Sequence, residues 1–160
     1  MIRERREEDL DRLCAVLESM DRPSGIPEDL SGWLEEYDAE LSWVFDMAPV
    51  RVAPTKNVVA HVQVYGPADG PATARMAECT GRPPGELLAI GKHFVKPGTY
   101  EWNIGRYLLR ESVTYIRSRG RIPVLDLHRD GFLSKEFYEK FGFHEADSGD
   151  PGVTPMVYTG

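Results

Sequence analysis

The sequence predicts a mixed α/β fold, with a central mixed, twisted sheet of six to seven strands flanked by helices in a single domain over residues 1–160. Three observations predict it. The chain has 160 residues, 41% hydrophobic and 28% charged, the size and balance of one soluble core. Alternating apolar runs of strand type share the chain with stretches of helical apolar spacing. Between residues 86 and 128 a strand, a helix and a buried strand follow one another, the order of a right-handed parallel βαβ unit.

Taken in order, residues 2–6 suit a short first strand, and Leu10, Leu13, Cys14, Leu17 and Met20 recur at helical spacing. Pro23, Gly25 and Pro27 break the chain, after which Leu30, Trp33, Leu34 and Tyr37 form one stripe of a second helix over 28–37. Residues 41–52 and 57–65 are rich in Val, Phe, Trp and Tyr. In the second run Val58, Ala60, Val62 and Val64 alternate against Val59, His61, Gln63 and Tyr65, so both read as antiparallel strands. Residues 66–85 read as an internal loop, long enough to cover a binding-site mouth or to be a surface insertion. A strand over 86–95 ends at the Pro97-Gly98 turn. In the helix that follows, Ile104, Gly105, Leu108, Leu109, Ser112, Tyr115 and Ile116 share a face, and Gly120 stops it. Residues 122–128 are almost continuously apolar, as a strand covered on both faces requires. Leu133, Phe137 and Phe141 mark a last helix ended by Gly142, and Phe143 and residues 156–159 supply two closing strands.

Charge and composition narrow the function. A formal net charge of -7 and a pI near 5.1 repel phosphate-rich partners, so nucleic acid is not expected. No apolar run reaches the roughly 20 residues a membrane helix needs, and the N-terminus has no apolar core of a signal peptide. No membrane partner and a cytoplasmic location are expected. Cys14 and Cys79 lie in unlike contexts, so reduced thiols are expected, and no motif pairs Cys79 with a histidine. The four histidines show no ligand spacing with cysteines or carboxylates, and no metal is expected.

One segment points to chemistry. From Val95 to Gly105 a turn delivers the chain into a helix N-terminus, where backbone N–H groups lack partners within the helix and attract anions. A pyrophosphate there meets the amides of Tyr100, Glu101, Trp102, Asn103, Ile104, Gly105 and Arg106, with added charge from Lys96. Gly105 either lets the phosphates approach closely or serves packing alone. Asn103 suits an N-cap, and Glu101 is expected to point away from the phosphates.

The order of strand, V-x-P turn, helix with Ile104-Gly105-x-x-Leu108-Leu109, buried strand and then Phe137-Tyr-Glu-Lys-Phe-Gly-Phe143 resembles the GNAT superfamily of N-acetyltransferases. The resemblance covers the last third to half of the chain. Tyr100 stands where the family has Arg or Gln, Asn103 replaces a motif glycine, and Gly131 stands where an Asn is common. The resemblance implies that the parallel strands Leu87–Val95 and 122–128 splay apart. Acetyl-CoA then enters the gap, with its pantetheine arm along Phe94, Val95 and Lys96, and Gly131, Ser134 and Tyr138 complete the cofactor set.

The implied reaction is direct attack of a primary amine, of a small molecule or a peptide, on the acyl carbonyl. A backbone N–H near Phe94 or Val95 stabilises the oxyanion, and Tyr138 matches the residue that protonates the CoA sulfur. His93, one residue before that position, is the candidate base; it suits a core pocket or solvent equally, His61 and Glu86 are weaker candidates, and His128 suits the cap of a strand end. The acceptor maps to residues 20–42, with Trp33, Glu36 and Tyr37 as its contacts. The acids Glu28, Asp29, Glu35, Glu36, Asp38 and Glu40 fit either a cationic amine or a solvated helix face. The alternative function is a non-catalytic CoA-sensing or protein-binding module on the same fold. A homodimer stays open.

Overall fold

A computed structural model of the chain describes residues 1–23, 25–48, 57–127, 132–146 and 152–160. In chain order its elements are β1 (Ile2–Glu4), α1 (Leu10–Glu18), α2 (Leu30–Leu34), β2 (Ala39–Asp46), β3 (Val58–Tyr65), α3 (Pro71–Thr80), β4 (Leu87–Val95), α4 (Glu101–Ser118), β5 (Ile122–Asp126), α5 (Lys135–Phe141), β6 (Phe143–Glu145) and β7 (Pro155–Tyr158). The strands form one seven-stranded sheet in the order β1-β2-β3-β4-β5-β7-β6. Among the described residues only β4 and β5 run parallel, and every other neighbouring pair is antiparallel.

Three hydrophobic clusters hold the layers together. On one face α4 lays Ile104, Leu108, Leu109 and Ile116 over Val62, Val64, Leu88 and Ile90, joined by Phe137 and Tyr138 of α5. On the other, α1 and α2 bury Leu13, Leu17, Trp33 and Leu34 over Val44, Val58 and Phe94. Next to them Met76 of α3 packs with Tyr65, Leu87, Val124 and Val157. Each fully buried Leu or Val contributes about 1.5–3 kcal/mol against leaving it in water, so the 3.6-residue spacing of α4 is what seats it on the sheet.

Several boundaries differ from expectation. The second helix is short: the Asp29 side chain accepts from the Gly32 amide and starts it, and the chain is already extended at Ala39. The strand expected over 41–52 begins at Ala39 and ends at Asp46, and residues 49–52 lie outside the described ones. The segment 66–85 is not a plain loop. It holds the ten-residue α3, with Pro71 at its start and Gly81 in the left-handed conformation at its end, a pairing that marks helix termini. No helix among the described residues is long and apolar enough to cross a membrane, and both cysteines are free thiols.

The strand β4 carries an irregularity that governs the site. Opposite β3 the register runs His61↔Phe94 and then Gln63↔Gly91, so two residues, Lys92 and His93, face the single Val62. This is a β-bulge, and Lys92 adopts φ 51, unusual for a residue with a side chain. Because side chains alternate along a strand, the extra residue swaps the faces beyond it. Leu88 and Ile90 before the bulge, and Val95 after it, all lie in the α4 cluster, whereas Phe94 lies with α1 and α2.

Candidate functional site

The parallel pair opens. Its ladder contains Leu87↔Ile122, Leu88↔Pro123 and Ala89↔Val124 and then stops, although β4 continues to Val95. Among the described residues, 90–95 therefore have no β5 partner, and a gap widens toward the C-terminal ends of the two strands. The Lys96 amide donates to Val59 O at 2.7 Å on β3. Backbone groups alternate sides along an antiparallel strand, so the Val95 N–H turns away from β3 and onto this open edge.

From the open edge the chain passes straight into α4. Gly98 (φ 83) and Tyr100 (φ 58) both adopt left-handed backbone. Tyr100, rather than the expected Asn103, is the N-cap, and its side chain makes no capping hydrogen bond. The first amide bonded within the helix is that of Ile104, to Tyr100 O at 3.0 Å, so those of Glu101, Trp102 and Asn103 face the helix entrance. Glu101 does not point away as expected. Its carboxylate accepts from the Gly98 amide at 3.0 Å, and this bond, with a second from its own amide, holds the carboxyl below its usual range.

Gly105 is buried, and a Cβ there would meet Leu133, Phe137 and Val95 at 3.4–3.5 Å. The missing side chain therefore faces the α4–α5 packing, so the packing reading of Gly105 accounts for the residue. Trp102 and Arg106 are exposed, with the Trp102 ring edge-on to Phe137 at 5.3 Å. Ser134 caps α5 by accepting from the Phe137 amide at 3.1 Å. His128 and Gly131 lie outside the described residues.

The bulge brings His93 to Tyr138. His93 is 1% and Tyr138 2% exposed; the imidazole Nδ1 lies 2.9 Å from the Tyr138 hydroxyl and Nε2 3.0 Å from the Gly105 carbonyl. A carbonyl can only accept, so Nε2 carries the proton in the neutral ring and Nδ1 accepts from the phenol. Burial holds the His93 pKa down to about 4 against the opposing pull of the Gly105 carbonyl.

On the far face, His61 donates through Nδ1 to Lys92 O at 2.8 Å and accepts from Arg5 at 3.1 Å. Burial is the main reason its pKa falls to about 3. Glu86, the other weak base candidate, sits in the turn before β4 and pairs with Arg82 at 3.2 Å.

The three residues expected to contact the acceptor do come together, around a cation of the chain itself. Lys92 is 0% exposed; its Nζ lies 2.9 Å from Glu36 and 3.9 and 4.3 Å from the ring centroids of Trp33 and Tyr37. An ammonium out of water needs such partners, and two aromatic faces with a carboxylate supply them. Glu36 also belongs to the wall of a cleft of about 390 Å³, with Asp38, Asp69 and Asp126, beside Ala89 of β4 and the start of α3. The other acids of the 28–40 stretch are not all free for a ligand: Asp29 caps α2, and Glu40 accepts from Tyr115 at 3.0 Å.

Sequence reasoning missed Lys92, Asp69 and Asp126. Lys92 had a signal, as the only ammonium in a nine-residue strand buried throughout. Asp69 and Asp126 had none, since only the fold brings the segment before α3 and the end of β5 beside α2.

No family model and no curated protein matches the chain. Solved structures do. A GNAT family acetyltransferase from Brucella melitensis in complex with acetyl-CoA is 19% identical, with 100% of this chain and 88% of that one covered and a TM-score of 0.56. The PaiA N-acetyltransferase from Thermoplasma acidophilum in complex with coenzyme A is 17% identical, over 99% and 97%, at 0.63. The aminoglycoside 6'-N-acetyltransferase from Enterococcus faecium is 16% identical, over 99% and 96%, at 0.62. The whole chain has the GNAT fold.

Proposed function

We propose that this GNAT-fold chain is an acyl-CoA-dependent N-acyltransferase that moves an acetyl or other acyl group from acyl-CoA to the primary amine of a small molecule or peptide. The observation that carries the reading is the β4–β5 ladder, which stops at Ala89↔Val124 and leaves the Val95 N–H on an open edge that leads into a helix entrance. An extended amide-bearing arm adds to such an edge as a strand would, and a diphosphate suits the amides beyond it. Several solved structures of this fold are acetyltransferases, two of them holding acetyl-CoA or coenzyme A.

Bound acyl-CoA supplies the activated carbonyl and the leaving group: the amine nitrogen takes the acyl carbon, the C–S bond breaks, and sulfur leaves as thiolate. The Val95 N–H receives the negative charge that develops on the carbonyl oxygen. Tyr138 is the acid for the sulfur; a thiol titrates near 8.5, so the demand on the phenol is modest. In the resting site the phenol's one hydrogen lies on His93 Nδ1, whose tautomer the Gly105 carbonyl fixes. His93 thus positions the phenol oxygen, and the hydroxyl turns that hydrogen from Nδ1 to the thiolate as sulfur leaves and regains a proton from water. With a pKa of about 4 the imidazole stays neutral at pH 7, which favours a positioning role for His93 over carrying the proton of the amine. That proton leaves through water.

The acceptor enters by the acidic cleft, where Asp38, Asp69 and Asp126 add negative charge beyond the Glu36–Lys92 pair, which favours a cationic amine such as a polyamine, an amino sugar or a lysine side chain. Release of CoA thiol from acetyl-CoA in the presence of a panel of amines tests the reading. Turnover with at least one cationic amine is expected. Stabilisation by CoA with no thiol release across the panel replaces the enzyme with a CoA-sensing module, and no response to CoA at all ends both. Charge steering is checked with Asp38→Asn combined with Asp69→Asn, which keep the Glu36–Lys92 pair: the amine KM should rise and its salt dependence flatten, at unchanged acetyl-CoA KM.

A further inference from the structure

The cofactor entrance is already engaged by an anion belonging to the chain. The Glu101 carboxylate takes the Gly98 amide at 3.0 Å. This is one of the donors that the turn and the first residues of α4 offer to anything approaching from the open edge of β4. The turn is built to hold this arrangement. Left-handed backbone at Gly98 and again at Tyr100 curls the chain so that the Gly98 amide meets the side chain three residues on.

Tyr100 has no glycine's freedom at φ 58, makes no capping bond and is 73% exposed, so it supplies nothing in place of the carboxylate. With Ile104 bonded inside the helix, the first-turn amides that face an incoming anion are those of Glu101, Trp102 and Asn103, all beside the carboxylate.

We propose that Glu101 is a built-in competitor for the diphosphate of acyl-CoA: its carboxylate holds the Gly98 amide and sets its charge beside the entrance amides that the diphosphate needs, so cofactor affinity is set by how readily Glu101 gives way. This rests on the acyl-CoA reading above. Two effects act together when a diphosphate binds. The carboxylate loses its bond to the Gly98 amide, and its negative charge, confined to the first turn of the helix, repels the phosphate oxygens until it swings into solvent. Both weaken binding, and the repulsion vanishes with the charge.

The test is isothermal titration of the whole chain and of Glu101→Gln with CoA and with 3'-dephospho-CoA. Glutamine keeps a carbonyl oxygen that can accept from Gly98 and removes only the charge; the residue is half-buried at the start of α4, and circular dichroism checks that the variant folds. CoA should bind the variant five- to twenty-fold more tightly. Dephospho-CoA, which keeps the diphosphate and lacks the 3'-phosphate, should gain by the same factor.

Equal CoA affinities within two-fold, or weaker binding by the variant, overturn the proposal. So does a gain confined to CoA, which locates the repulsion at the 3'-phosphate. If neither folded protein binds CoA at millimolar concentration, the acyl-CoA reading itself falls and takes the competitor with it. That result is distinct from equal and measurable affinities, which leave the acyl-CoA reading standing.

Discussion

Acidifying the protein from pH 7 to pH 5 should remove about 4 kcal/mol of stability, shared between His61 and His93. Burial holds these imidazoles at about 3 and about 4 in the fold, against about 6.5 in an unfolded chain. The folded state thus binds fewer protons than the unfolded state between those values. The stability is fully present above about pH 6.5 and is lost as pH falls through that window toward 4 and then 3. At pH 5 an unfolded ring is almost wholly protonated while the buried rings are not, which favours unfolding by a factor of roughly 25 per ring relative to pH 7, or about 2 kcal/mol each. Because both folded values lie below 5, that figure depends almost entirely on the unfolded value.

Carboxylates held low, such as Asp9 beside Arg3, lose their contribution at lower pH, so pH 5 isolates the imidazoles. Urea unfolding followed by circular dichroism at both pH values measures the change. His61→Gln and His93→Gln, whatever each costs at pH 7, should each lose about 2 kcal/mol less on acidification. Wild-type stability equal at the two pH values, or variants that lose as much as wild type, would refute the argument that these rings are buried and neutral.

Tyr138→Phe should lower turnover by about one to three orders of magnitude while the circular dichroism spectrum stays native, since only the hydroxyl on His93 is lost; unchanged thiol release removes Tyr138 from the mechanism. Gly105→Ala should leave CoA affinity alone and raise the melting temperature, because the added methyl makes ordinary contacts with Leu133, Phe137 and Val95 and alanine favours a helix by about 1 kcal/mol. Lys92→Met should destabilise by about 2–4 kcal/mol in urea unfolding: it removes two ring contacts and the ion pair with Glu36. A Lys92 variant as stable as wild type counts against the ammonium as the tie between α2 and β4.

The missed helix α3 shows where reading the sequence stopped short of its own signals. Pro71 and Gly81 bracket ten residues whose buried Thr73 and Met76 lie three apart, yet short spacing and small side chains made the stretch look like a loop. The α2 boundary failed for a different reason. Its apolar stripe runs on to Tyr37, but Tyr37 stacks on Tyr65 at 4.0 Å from outside the helix, and a buried aromatic looks the same in sequence whichever backbone carries it.

By itself the sequence determined the local order of elements: the apolar faces of α1 and α4, the buried run of β5, the turn at Pro97-Gly98, and the block around Tyr138. These follow from periodicity and backbone preference, which act over a few residues. Which face each residue of β4 presents was decided by tertiary structure. One extra residue at Lys92, set against Val62 of a neighbouring strand, turns His93 to Tyr138 and Lys92 to Glu36. A pleated strand has a repeat of two, so a shift of one exchanges its faces, and the cross-strand partner that fixes such a shift lies about thirty residues away. The same holds for the acidic cleft and for Glu101 on its turn, where chemistry depends on which distant or folded-back groups share a few ångströms of space.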